Sequence, residues 1–235
     1  MVLDKKQAFI VLNSTFKTIF GKSTPFTLNE VLYKFAFDVK LPKEVLDSTT
    51  HEKTWAQSIN SAKFITQNNM EKYDEKYGWI QKRKEVNNLN DILRLWKMIN
   101  YTTTERVFDS INVHESDPIY RCENVYRSTD LRNCKNTIFC DGCGDGENII
   151  ACSRSSTCSY CLRVDDSANC TNSYNVICSN KISNSFFIQD CNNLYECMFC
   201  SHMSNKKYYI SNMPFEKEEY FEIKKQIINW ILSKN

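Results

Sequence analysis

Between Val107 and Met203, every third residue is uncharged. The column starts Val107, Ser110, Val113, Ser116 and ends Cys197, Cys200, Met203, and it holds 33 positions. All 19 Asp, Glu, Lys and Arg residues of the segment lie off it. Along the column, branched aliphatics alternate with Ser or Cys, and the two classes exchange phase between about Cys140 and Val164. A repeat of three or six is neither the 3.6 of a helix nor the plain 2 of a strand. It fits a parallel β-solenoid, in which short strands meet at corners and equivalent residues stack coil upon coil.

Two registers compete for the coil length. Asn112, Asn124, Asn136, Asn148, Asn172 and Asn184 fall at multiples of twelve. Asparagines at corners can stack as amide ladders and also tolerate left-handed backbone. Cys-x5-Cys-x2-Cys recurs at 134/140/143, 152/158/161 and 191/197/200, the first two offset by eighteen. Eighteen residues per coil would stack Cys122, Cys140 and Cys158, and would give about five coils and a stub about 24 Å long. The sequence leaves the choice between twelve and eighteen, and the handedness, open.

Eleven of the twelve cysteines occupy the column, and Cys178 alone lies outside it. Cys-x-x-Cys is then simply two neighbours in a period-three column, and buried free cysteine behaves as a small apolar residue. The rival reading is zinc. Cys140-x2-Cys143-x14-Cys158-x2-Cys161 is near the spacing of a four-thiolate ribbon. Disulfides between coils are the third reading, since stacked strands bring α-carbons within bridging range.

Residues 1–105 read as a mainly helical docking region. Phe9, Leu12, Phe16 and Ile19 recur at helical spacing before Gly21, and Thr27-x-x-Glu30 fits a capping box ahead of Leu28, Val31, Leu32 and Phe35. Leu89, Leu93, Trp96 and Ile99 form another stripe, and each stripe is expected to be a packing face. The polar stretch between them gives no clear assignment. Residues 106–205 are the solenoid, and 206–235 a capping helix. In that helix Pro214 stands at the entrance, Glu216, Glu218 and Glu219 lie in the first turn, and Tyr220, Ile223, Ile227 and Trp230 or Ile231 face inward. The expected class is α+β: a mainly helical N-terminal region, then a short parallel β-solenoid (β-helix) capped by a C-terminal helix.

The stretch holding Asn205, Lys206, Lys207, Tyr208, Ile210, Asn212, Phe215, Lys217, Glu218, Glu219 and Tyr220 follows a Cys-x-x-Cys array. It resembles the ends of uncharacterised cysteine-rich repeat proteins of environmental bacteria and tailed phages, over roughly the last 100 residues. Tyr209 stands where those proteins often have cysteine. The resemblance implies a shared solenoid-plus-cap architecture and transfers no activity.

Charge is nearly balanced, 30 basic against 28 acidic residues, so no global pull toward nucleic acid or membrane follows. No apolar run approaches ~18 residues. The start of the chain lacks a small-residue cleavage site, so synthesis in a reducing cytosol without a signal peptide is expected. "CDGCGDGEN" lacks the Lys-Ser/Thr end of a phosphate loop, and Cys143 at an inward position points to a tight corner rather than a calcium loop. The histidines are His51, His114 and His202; His114 and His202 are the residues a solenoid acyltransferase would have to use. No catalytic or cofactor-binding residue is assigned, and no cofactor is expected unless zinc sits at Cys140, Cys143, Cys158 and Cys161. The expected role is a non-enzymatic structural or interaction protein within a larger assembly such as a phage particle, as a capsid or tail accessory or decoration protein incorporated into the virion. Its partners would be other proteins or further copies of itself, with no small-molecule substrate, nucleic acid or membrane. A zinc-stabilised binding module is the alternative, and a β-solenoid acyltransferase the third reading.

Overall fold

The computed structural model describes residues 3–234. Residues 107–210 form a parallel β-solenoid of about nine turns. The coil length is twelve: Val113 pairs with Val125, Val125 with Thr137, Thr137 with Ile149, Ile149 with Cys161 and Cys161 with Ser173. At ~4.8 Å per stacked strand, nine turns make a rod about 43 Å long. This corrects the eighteen-residue stack. Cys122 lies against Cys134 and Cys140 against Cys152, whereas an eighteen-residue step is one and a half turns and ends on the opposite wall.

Twelve residues at a period of three give four inward positions and four corners per coil. Every inward residue from Ser116 to Cys200 is buried. The residue just before each inward position is left-handed, as at Asn112 (φ 53°), Asn124 (φ 56°), Asn136 (φ 53°) and Arg163 (φ 57°). From Asp109 to Ser211 only Pro118, whose ring fixes φ, departs from this. Left-handed backbone costs an L-residue about 1–2 kcal/mol, and least for Asn and Asp. Asparagine and aspartate are accordingly the commonest corner residues. The amides also stack: Asn112 donates to Asn124 at 3.0 Å, Asn124 to Asn136 at 2.9 Å and Asn172 to Asn184 at 3.2 Å.

The phase exchange has a geometric cause. Inward residues six apart face each other across the coil. Ile119 and Val125 span one diagonal near the start, with Cys122 and Ser128 on the other; near the end Ile182 and Ile188 span the second diagonal, with Ser179 and Ser185 on the first. Between them the long diagonal changes hands through Cys143, Gly146, Ile149 and Cys152, then Ser155, Cys158, Cys161 and Val164. Gly146 stands where a Cβ would come within 2.8 Å of Ile149 Cδ1 and 3.4 Å of the Cys158 carbonyl.

A second core lies outside the solenoid. Tyr126, Ile138, Ile150, Leu162, Tyr174, Phe186, Met198 and Ile210 stack at twelve-residue steps on one outer face. Helices α1 (Leu3–Phe20), α2 (Leu28–Phe35), α3 (Gln67–Tyr77), α4 (Leu89–Ile99) and α5 (Lys217–Ile231) accompany the rod. Buried Val11, Leu12, Phe16 and Ile19 of α1 and Val31 and Phe35 of α2 join this outer core. Phe20 meets Tyr174 and Phe186 with ring centroids 5.8 and 5.6 Å apart, and Phe35 meets Tyr174 at 5.9 Å. The Thr27–Glu30 capping box is formed, and the Thr27 backbone N–H holds the Glu30 carboxyl down at about 2.

Helix α5 caps the solenoid by running back along its flank. Tyr220 packs on Tyr208 of the last coil, and Trp230 reaches Phe187. Between them Lys224 is buried, donating to the Asn184 carbonyl at 2.8 Å and to Glu196 at 2.5 Å. Glu196 takes the place of an asparagine in the corner register to meet it. At the same end, Met213–Pro214 turns back antiparallel on Tyr209 and Ile210, and the next inward positions are Lys206 and Tyr209, which end the apolar stack.

Residues 43–104, within the region expected to be mainly helical, also contain β1 (Lys43–Leu46), β2 (Lys53–Ala56), β3 (Phe64–Thr66) and β4 (Thr102–Thr104). Asp47 is the hub. Burial pushes its carboxyl up, but donors from Thr49, Thr66 and Asn69 outweigh this and hold it well below the usual carboxylate range. The stripe of α4 is corrected: no residue of that helix is buried, so its apolar side is not a packing face within the chain.

Asn124→Gly keeps the left-handed corner and loses two amide bonds, an expected cost of about 1–2 kcal/mol. Asn124→Val adds a β-branched side chain at φ 56° and should cost about 1–2 kcal/mol more. Urea unfolding midpoints of the two variants measure the difference.

Candidate functional site

The thiol-lined interior is the first place to seek chemistry. At each corner the left-handed residue is followed by an inward side chain, and inward hydroxyls and thiols donate to the carbonyl two residues back. Ser116 does so to His114 at 2.7 Å, Ser128 to Tyr126 at 3.0 Å, Cys140 to Ile138 at 3.2 Å and Cys152 to Ile150 at 3.3 Å. The same atoms accept from the next coil. Ser128 N–H reaches Ser116 Oγ at 3.0 Å, Cys140 N–H reaches Ser128 Oγ at 3.1 Å, and Cys152 and Val164 N–H reach the sulfurs below them at 3.3 Å. Branched aliphatics fill other inward positions, and where this pattern is used the requirement is a small side chain with both a donor and an acceptor. Ser and Cys meet it, and charged residues do not fit.

All twelve cysteines are free thiols; the eleven inward ones are buried and Cys178 is exposed. Burial, followed by the neighbouring thiols, pushes Cys140 and Cys161 well above the ordinary thiol range. Burial also pushes Cys191 up. These three are neutral at pH 7, whereas hydrogen bonds from Cys161 and Cys170 hold the Cys158 thiol down at about 4, and those from Cys134 and Cys197 hold Cys122 and Cys200 down at about 7.

The zinc-spaced residues separate into pairs. Cys140 neighbours Cys143 and Cys152, and Cys158 neighbours Cys161 and Cys170. The eighteen-residue offset sets Cys140 and Cys158 on opposite walls, and the four occupy four different inward columns. Among the described residues, no group of three or more His, Cys, Asp or Glu side chains is placed to hold a metal ion.

The histidines lie outside this interior. His51, His114 and His202 are exposed, and His202 sits 3.7 Å from Asp190. Among the described residues none is hydrogen-bonded to a thiol. "CDGCGDGEN" holds three left-handed corner residues, Gly142 at φ 64°, Asp145 at φ 51° and Asn148 at φ 54°, and Cys143 points inward.

A cleft of about 180 Å³ lies where α2 ends against the solenoid, lined by Asp38, Val39, Ala151, Ser153, Arg154 and Arg163. Its charges are tied down. Arg163 grips Asp38 with two bonds of 2.8 and 2.7 Å and the Phe35 carbonyl at 2.9 Å, while Arg154 binds Asp166 at 2.6 Å. The Arg163 bonds pin the end of α2 to the rod, and the Arg154 bond joins two neighbouring coils.

Sequence reading missed the residues of Lys224–Glu196 and the outer apolar face. The signal for the face was present: from Tyr126 to Ile210 every twelfth residue is apolar. Among the described residues no helix is long and apolar enough to cross a membrane. Comparison with protein-family models, with curated proteins and with solved structures gave no match.

Cys140→Ala leaves the buried Cys152 N–H without its acceptor and should cost about 1–3 kcal/mol, whereas Cys140→Ser restores donor and acceptor and should cost less. Denaturant titration separates them. An aromatic disulfide reagent should modify one thiol, Cys178, in the native protein and all twelve after unfolding.

Proposed function

We propose that the protein is a non-enzymatic structural and interaction component of a larger assembly, with a phage capsid or tail accessory or decoration protein as the concrete form. The observation that supports it is the closed interior. From Ser116 to Cys200 every inward position is buried, and the inward hydroxyls and thiols bond to the chain's own backbone. Nothing inside is left to act on a substrate, so the working parts of the molecule are its outer faces. A rod of stacked coils, stiffened along one side by α1, α2 and α5, suits a spacer or contact element. The phage form rests on the C-terminal resemblance alone.

Purification of assembled particles from the producing cells tests this reading. The protein should migrate with the particles through a density gradient at fixed stoichiometry; recovery only at the top of the gradient refutes the assembly role. A zinc-stabilised module is the second reading, favoured by the contacts within Cys140/Cys143 and Cys158/Cys161. Elemental analysis of protein purified without chelator should find well under one zinc per chain, and one equivalent would reverse the order of the two readings.

A further inference from the structure

We infer that α4 and the basic coil before it form an adhesion surface for an anionic lipid bilayer. This goes beyond the assembly role and rests on a different part of the molecule. Asn90, Asp91, Arg94 and Lys97 share one side of α4, and Leu89, Ile92, Leu93, Leu95, Trp96 and Ile99 share the other. Leu95 and Ile99 are partly covered, but Leu89, Ile92, Leu93 and Trp96 are 66, 52, 45 and 51 % exposed. A soluble monomer rarely leaves an apolar patch of this kind open without a use for it.

The coil before the helix supplies charge. Residues 82–90 are all exposed and include Lys82, Arg83 and Lys84. Gln81 holds this coil to the helix, its Nε2 donating to the Leu95 carbonyl at 3.5 Å, and Ile80 projects beside it, 96 % exposed. Between Trp79 and Ile99 there are five basic residues against two acidic, Glu85 and Asp91. Lys63 adds a further cation at the C-terminal end of α4, its Nζ donating to the Lys97 carbonyl at 2.6 Å.

Charge selects the occupant. Two copies meeting through this surface would bring two positive patches together, which opposes self-association. An anionic bilayer surface attracts the same charges, accepts the apolar stripe at the headgroup boundary, and suits an indole such as Trp96 there. Helix α4 is far too short to span the bilayer and would lie in its plane.

The test uses the full chain with extruded vesicles of phosphatidylcholine alone, or of equal parts phosphatidylcholine and phosphatidylglycerol, followed by sedimentation at low and high salt. The expected result is binding to the phosphatidylglycerol vesicles, weakened by salt, with a blue shift of tryptophan fluorescence that Trp96→Ser reduces. Replacing Lys82, Arg83 and Lys84 together by Gln should weaken that binding about a hundredfold, at about fivefold per basic residue. Trp96→Ser should weaken it as well, while native thiol accessibility stays at one per chain because α4 contributes no buried residue. Absence of sedimentation with phosphatidylglycerol vesicles at low salt overturns the inference, and so does equal binding to the neutral vesicles. A lipid-free dimer that Trp96→Ser dissolves also overturns it and assigns the stripe to a second copy. None of these outcomes bears on whether the protein travels with assembled particles.

Discussion

The rod depends on one local arrangement: a left-handed residue, then an inward side chain that is either aliphatic or a hydroxyl or thiol bonded to the carbonyl two residues behind it. The left-handed residue turns the chain through a corner. The carbonyl two residues before the inward side chain already accepts an N–H from the next coil, as Tyr126 does from Phe139 at 3.1 Å and Ile138 from Ala151 at 2.9 Å. A Ser or Cys at the inward position donates a second bond to it and accepts a buried N–H that would otherwise be costly, as Ser128 does from Cys140. The abundance of cysteine follows from this: it is small, apolar enough for a core, and still able to donate and accept.

The rod alone would expose one apolar side, and the helices exist in relation to it. Tyr174 and Phe186 lie at the centre of that side and receive rings from Phe20 and Phe35. On the adjoining flank, α5 is held by a buried ion pair in which Lys224 also satisfies the Asn184 carbonyl. A buried pair of this sort adds little net stability over an apolar substitute, but removing one partner leaves an uncompensated charge. Its role is to set the position of α5 along the rod.

Much of this was legible beforehand. The exclusion of charge from every third position marked the inward column, because no charged side chain fits a coil three residues wide on each side. The asparagine register at twelve was the true coil length, and the cysteine spacing at eighteen was misleading because inward positions recur at every multiple of three. Thr27 and Glu30 announced the start of α2. The α4 stripe was read as a packing face because periodicity reports which residues share a side and not what covers it. Strands β1 to β4 escaped notice because each is three or four residues long, too short for an alternation to register. Their hub, Asp47, looks like any surface carboxylate until its donors from Thr66 and Asn69 are seen.

The transfer of the long diagonal midway along the rod divides it into two halves that are not interchangeable. On either side of the crossover, removing or duplicating one full turn preserves both the corner phase and the bulk facing each wall. The same edit across Cys143 to Val164 would set wide against wide and narrow against narrow. Changes of length by whole turns therefore fit best near the two extremities, with the middle acting as a fixed joint.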